Sequence, residues 1–444
     1  MANTFLSRSN SSGTSTQKGT ISVWIKGSEE PSGNNQTTLA CWGNANNHGA
    51  LIWNGGDKID AFDYQSGYAS QLQTNAVLRD SSAWYHIVYS WDTTLSTAND
   101  RQKVYINGVE QTYSTRTNYS LNATTSWNAN SYSKRVGALN SSSYFSGSMT
   151  HIHFIDGLQY APTVFGEVDS TSGIWKAKTS VSATYGNNGF FLKMENSGAM
   201  GTDSSGKSNT FSVAAGTLTQ NIDSPDNNFA TMNPLDNYHQ NQTFTQGNNT
   251  VKSDNPSPVK STLGVSSGKW YIEAKALSVV GSGSDYQIGI ISSQVVGTQE
   301  LGHYSNDYSY YGASGSYRNN DSFTSYGNSY TAGDIIGVAI DLDNNKLYFS
   351  KNGTFQNSGD PTSGSTGTGA ISITTPSSTE LGAYFLGVGG NANSNKYNWN
   401  ANFGNGKFGT TAVSSAGTNA SGNGIFEYDV PTGYTALSTK GLNS

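Results

Sequence analysis

Among the side chains that can do chemistry, the carboxylates come first. Cleaving a glycosidic bond takes two of them, ~5–5.5 Å apart for retention or ~6.5–9.5 Å for inversion. The glutamates here are scattered: Glu29, Glu30, Glu110, Glu167, Glu195, Glu273, Glu300, Glu380 and Glu427. No two stand at the period-two spacing that aims strand neighbours into one cleft. A catalytic pair would have to come from residues distant in sequence, and the expectation is a protein that is not an enzyme. Asp341-Leu-Asp343-Asn-Asn345 begins like a calcium loop, but its sixth position is Lys346 and its twelfth Asn352, where glycine and glutamate are needed. It reads as a polar hairpin turn. His151 and His153 alternate on a strand pattern and share a face; with no third ligand in view they read as structural. Cys41, beside Trp42, reads as a small buried apolar residue. No metal or cofactor is expected from these residues.

The tyrosines are more informative. Tyr64 and Tyr68 stand in DYQSGY, and Tyr304, Tyr308, Tyr310, Tyr311 and Tyr317 in HYSNDYSYYGASGSY. Both stretches read as polar loops, and all seven tyrosines are candidate ligand-binding residues. An exposed aromatic among Asn, Asp and Ser offers a sugar an apolar face beside hydrogen-bonding groups. The same composition suits a protein-binding surface, where tyrosine gives contact area at low entropic cost. Covering a subunit interface, or the loop's own small core, is the third use. The residues alone leave all three open.

These groups need a scaffold, and composition says which. Only 12% of the 444 residues are charged, about half the ~25% of an ordinary domain. Aromatics are abundant instead: 26 Tyr, 17 Phe and 9 Trp. A net charge of −6 with scattered basic residues lacks the footprint of a nucleic-acid or anionic-lipid binder. No apolar run reaches the ~18–20 residues of a membrane span. The first thirteen residues lack the charged-then-apolar order of a signal peptide. One cysteine cannot form an internal disulfide.

Apolar residues come in short alternating runs, such as Ile21-Ser-Val-Trp-Ile25, Trp84-Tyr-His-Ile-Val-Tyr89, Trp270-Tyr-Ile-Glu-Ala274 and Leu347-Tyr-Phe349. Bounded by Gly, Asn and Ser, they read as strands. Asn107-Gly108 and Asn352-Gly353 carry the signal of tight hairpins. Trp24, Trp84, Trp91, Trp270 and Tyr348 lie inside strand patterns and are assigned to cores. The fold class is all-β, with two β-sandwich domains. Residues 1–165 form the first, 166–265 an irregular connector broken at Asn255-Pro-Ser-Pro-Val259, and 266–444 the second with a C-terminal tail. Gly359–Gly369 reads as an exposed low-complexity loop.

The first region, with Thr20-Ile-Ser-Val-Trp-Ile-Lys26, Trp84-Tyr-His-Ile-Val88, Lys103-Val-Tyr-Ile-Asn-Gly108 and His151-Ile-His-Phe-Ile-Asp-Gly157, resembles a concanavalin A-like, laminin-G-type sandwich. The second, with Gly268-Lys-Trp-Tyr-Ile-Glu273, Gly333-Asp-Ile-Ile-Gly-Val-Ala-Ile-Asp341, Lys346-Leu-Tyr-Phe-Ser-Lys-Asn-Gly353 and Asn402-Phe-Gly404, resembles a SPRY domain. The connector adds Tyr185-Gly-Asn-Asn-Gly-Phe-Phe191, Gly201-Thr-Asp-Ser-Ser-Gly-Lys-Ser-Asn209 and Asp223-Ser-Pro-Asp-Asn-Asn228. In this order the parts are similar to virion-associated proteins of tailed bacteriophages, many of them marine. The resemblance implies a virion surface protein, tail fibre or head fibre and decoration, made in the host cytoplasm and mediating adhesion. It implies a host cell-surface glycan as ligand, other virion proteins as partners, and a homotrimer. The alternatives are a purely structural virion protein and a polysaccharide depolymerase. Glucanases of the concanavalin class carry Glu-x-Asp-x-x-Glu on one strand, and no such run occurs here. A structural calcium, held in some laminin-G-type domains by loop carboxylates and carbonyls, stays open.

Overall fold

A computed structural model describes residues 3–28, 33–170, 173–236, 242–253, 256–278, 286–294, 297, 299–390, 396–416 and 422–443. Glu29, Glu30 and Asn255 lie outside the described residues. The chain is all-β and divides into two compact units, Met1–Gln220 and Asn221–Ser444.

Unit 1 pairs an eight-stranded with a six-stranded sheet. The eight strands, in spatial order, are Tyr113–Thr117, Tyr68–Val77, Lys58–Gln65, Asn47–Trp53, Gln36–Asn44, Ser133–Val136, Phe5–Ser9 and Ser212–Ala215. The six are Phe190–Leu192, Gly147–Asp156, Lys18–Gly27, Tyr85–Asp92, Gln102–Ile106 and Val109–Glu110. Strand period two explains the core between them. Ile21, Val23 and Ile25 from one sheet meet Leu39, Leu51, Trp53 and Ile59 from the other, around Trp91 and Trp127.

The six-stranded sheet buries its second face as well. Val88 and Ile155 pack under Phe165 and Tyr185, and Trp24 and Trp84 pack with Ala177 and Trp175. That double burial explains the unbroken burial from Gly19 to Gly27 along strand Lys18–Gly27. The eight-stranded sheet carries on its outer face a small buried cluster, Ala40, Ala50, Ile52 and Phe62, with Tyr64 and Leu139 at its margin.

Unit 2 is a second sandwich around one large core. One sheet centres on Tyr397–Asn402, Lys269–Ala276, Ile335–Asp341 and Lys346–Lys351; the other runs Val259–Val265, Tyr384–Gly390, Tyr286–Ile291, Tyr308–Tyr311, Ser316–Asn319 and Ser322–Ser325. Both Asn-Gly hairpins form, with φ of 48° and 81° at Asn107-Gly108 and at Asn352-Gly353. Glu273, fully buried, accepts the backbone N–H groups of Glu427 and Tyr428 at 2.8 and 2.9 Å and the Tyr271 hydroxyl at 3.1 Å. Its carboxylate thereby staples the C-terminal segment to the central sheet.

Residues 166–265, read from sequence as a connector, are shared between the units. Phe190, Leu192 and Phe211 belong to the first core, and Phe229, Met232 and Val251 to the second. Pro256, Ser257 and Pro258 are buried within unit 2. Their apolar content comes in runs of two or three residues, too short to show a period.

The stretch Tyr304–Tyr317 corrects its reading as a polar loop. It builds strand Tyr308–Tyr311 and enters strand Ser316–Asn319. Tyr308 and Tyr310 alternate with Ser309 and point into the core, 6% and 0% exposed. Serine between tyrosines is the polar half of an alternating strand, and tyrosine itself favours strands.

Candidate functional site

The open outer face of the eight-stranded sheet is ordered in cross-strand rows. Ile52 stands opposite Asp60, and Asp60 opposite Gln73. In the next row Ala40, Ala50, Phe62 and Gln71 follow one another. The third row is aromatic: Trp42, His48, Tyr64 and Tyr68. Ring centroids along it lie 5.1, 5.4 and 5.4 Å apart, and Phe62 meets Tyr68 edge-on at 5.6 Å.

Part of this face forms a groove of about 500 Å³, with Ile52, Asp60, Phe62, Gln71 and Gln73 on its floor and Tyr68 at its rim. That volume falls within the ~300–1,000 Å³ of ligand pockets. Its far wall is made by two turns. Asn54 Oδ1 accepts the N–H groups of Gly56 and Lys58 at 3.0 and 3.2 Å, and Asn35 Oδ1 accepts Gly55 N–H at 3.3 Å. A Cβ on Gly55 would meet the Gly33 backbone at 2.5 Å, so only glycine lets the turns touch.

Asp60 holds the centre and is 5% exposed. Gln71 Nε2 donates to its Oδ2 at 2.9 Å. Its Oδ1 is buried without a hydrogen bond. Burial raises the carboxyl to about 6, against the stabilising amides of Gln71 and Gln73. A bulge at residues 113–115 places Ser114, whose Oγ donates to Gln73 Oε1 at 2.9 Å and accepts from Lys58 Nζ at 3.1 Å.

Of the seven tyrosines singled out in the sequence, Tyr64 and Tyr68 belong to unit 1; Tyr68 lines this groove and Tyr64 packs beside it. They end one strand and begin the next, with only Gln65–Gly67 between them. Tyr68 is 52% exposed and Tyr64 half-buried. The other five belong to unit 2. Tyr308 and Tyr310 are core residues, Tyr310 stacking on Phe349 at 5.3 Å. Tyr317 is half-buried against the same core. Tyr304 is half-buried beside His303, at 4.7 Å. Tyr311 is half-buried beside Phe323, over which Arg318 lies at 5.3 Å.

Asp60, Phe62, Gln71 and Gln73 escaped the sequence reading. The signal was present in KIDAFDYQ, where Asp60, Phe62 and Tyr64 alternate against Ile59 and Ala61. Asp63, a charged residue at a core-facing position, masks that pattern.

Two other groupings resolve into structural contacts. His86 Nε2 lies 2.8 Å from Ser22 Oγ, as in a nucleophile and its base. Trp175 Nε1–H, which can only donate, points at His86 Nδ1 at 2.9 Å. The remaining proton is therefore on Nε2 and donated to Ser22, so this histidine does not activate the serine as a base. His153 stacks on Phe191 at 3.9 Å with Nδ1 2.9 Å from the Tyr185 hydroxyl, while His151 sits at a bulge with φ 48°. In the Asp341–Asn345 turn, Asp341 accepts Asn344 N–H at 3.1 Å and Asp343 accepts Gly268 N–H at 2.9 Å. Among the described residues no three His, Cys, Asp or Glu side chains are grouped to hold a metal ion.

Residues 3–159 match the family model of the concanavalin A-like lectin/glucanases superfamily, and residues 269–371 match that of the SPRY domain. A search of curated proteins found no match. Similar solved structures include stonustoxin, at 15% identity and a TM-score of 0.29, covering 39% of this chain and 27% of that one. This chain thus spans about a quarter of that structure's length. The SPRY domain of human HERC1 is similar at 14% identity and a TM-score of 0.27, covering 38% and 96% of the two chains. Domain 4 of AbnA, a GH43 extracellular arabinanase from Geobacillus stearothermophilus, in complex with arabinotriose, is similar at 20% identity and a TM-score of 0.27, covering 33% and 64%. The chain carries a concanavalin A-like lectin/glucanase superfamily domain followed by a SPRY domain.

Proposed function

We propose that this chain is an adhesion protein that binds a glycan in the groove of its first sandwich. One observation carries the reading: exposed Tyr68 and the Phe62 edge stand beside a floor of Asp60, Gln71 and Gln73. A sugar ring needs that pairing of an apolar face with planar hydrogen-bonding groups. The lectin-type superfamily match over the same residues supports it. The reading is recognition rather than hydrolysis, since Asp60 is the one carboxylate among the described residues lining the groove. The motif order noted in the sequence supports display on a bacteriophage particle, where neighbouring virion proteins are the partners and a host-surface glycan the ligand.

A glycan array probed with the full chain tests this. Binding to at least one oligosaccharide is expected, weakened about two- to twelvefold by Tyr68→Ala, from the ~0.5–1.5 kcal/mol of an aromatic contact. An array without signal, or a variant that binds like the parent, contradicts it.

A further inference from the structure

We infer that Asp60 sets the specificity of the groove: its carboxylate selects a neutral sugar that donates a hydroxyl hydrogen to it, and turns away acidic sugars. This rests on the glycan reading of the groove. Asp60 is the one anionic acceptor among the described residues lining the groove. Asn35 and Asn54 spend their oxygens on backbone N–H groups, and Gln73 Oε1 is taken by Ser114. Gln71 turns its N–H toward Asp60 Oδ2, and Oδ1 is buried without a hydrogen bond, the Gln73 amide being the other group that stabilises the carboxylate. Leaving such an oxygen unpaired is costly, and a ligand hydroxyl removes that cost. Gln73 stands opposite Asp60 in register and its amide stabilises the same carboxylate, so a ligand hydroxyl takes over the place of that amide. A sugar carboxylate brought to the same place would set like charges together.

The surroundings of Asp60 are largely neutral. Ile52 faces it from the strand on one side and Gln73 from the other. Lys58, two residues earlier on its own strand, is held by Ser114. Tyr68 and Tyr64 stand along the same face, and His48 packs on Tyr64 and Phe62. Asp60 carries its proton below about 6, and the protonated acid turns one accepting oxygen into an O–H donor and loses the charge that strengthens the other. Affinity for a neutral glycan then follows the ionised fraction and falls by up to about tenfold from pH 7.5 to pH 5.

The test is calorimetric titration of the full chain with the strongest neutral oligosaccharide from the array, at pH 5 to 7.5, beside a hexuronate-containing oligosaccharide of equal length. The expected result is the acid-side loss in the wild type, its persistence in His48→Gln, and weak, pH-independent binding by Asp60→Asn. Asp60→Asn should also narrow the preference for the neutral ligand. Neutral-glycan binding that is flat with pH in the wild type, while Tyr68→Ala still weakens it, overturns the role of Asp60 and leaves the groove reading standing. So does an acid-side loss that disappears in His48→Gln. No glycan bound at any pH overturns both.

Discussion

Asp60 and Asp63 lie three residues apart on one strand and face opposite sides of the eight-stranded sheet. Asp60 opens onto the groove. Asp63 Oδ2 accepts Ser126 N–H at 2.9 Å and the Tyr119 hydroxyl at 3.2 Å on the core side. An odd separation on a strand divides two side chains between its faces. The pair cannot act on one bond; on the proposed function Asp60 serves recognition, while Asp63 holds the scaffold.

The two kinds of tyrosine should separate cleanly in stability measurements. Tyr310→Ala removes a fully buried ring from the unit 2 core and is expected to cost ~3–5 kcal/mol, as large aromatic truncations do. Tyr68→Ala, at an exposed rim, should shift the urea midpoint little. Equal effects from both would place Tyr310 somewhere other than the core.

Gly353 is the second residue of a tight turn, at φ 81°, and a Cβ there would meet the Tyr428 ring at 2.6 Å. Gly353→Val should therefore destabilise unit 2 by about 2 kcal/mol, combining backbone strain with displacement of Tyr428. A melting curve that matches the parent would mean that the turn rearranges without loss.

The pH response of unit 2 follows from Glu273. Burial raises its carboxyl from 4.5 to about 7, so the folded state holds a proton that the unfolded chain releases. Its contribution is complete below about 4.5 and is lost as pH rises through about 7, at most ~1.4 kcal/mol per pH unit. Asp307, raised to about 6 by burial, acts in the same direction. Exchange protection of the Lys269–Ala276 amides, corrected for intrinsic rates, should fall from pH 5 to pH 7. Glu273→Gln should reduce that slope, and an unchanged slope would assign it to other groups.

Separate expression tests where the units divide. Residues 1–220 and 221–444 should each unfold cooperatively. Residues 1–165 should not, because they lack Phe190, Leu192 and Phe211 of the first core and the Trp175 cover over Trp24. Cooperative melting of 1–165 at the midpoint of 1–220 would show that the added segment contributes nothing.

The sandwich strands were legible because strands buried on both faces are apolar runs, and both Asn-Gly turns were legible because few other dipeptides take φ > 0 at two successive positions. Residues such as Phe211 and Met232 were not, since they enter a core from irregular chain and carry no period. The groove was half legible. Tyr64 and Tyr68 stood out by composition, whereas Asp60 and Gln71 become neighbours only through strand register. Tyr308 and Tyr310 misled for the converse reason: a hydroxyl and a polar neighbourhood look like a surface, although each hydroxyl reaches the core boundary and finds a partner there.

A crystal structure of the chain with the strongest neutral oligosaccharide from the array addresses the central claim most directly. The expected structure has a sugar ring against Tyr68 with one hydroxyl in hydrogen-bond contact with the Asp60 carboxylate. A glycan seated elsewhere, with the groove empty, would contradict it.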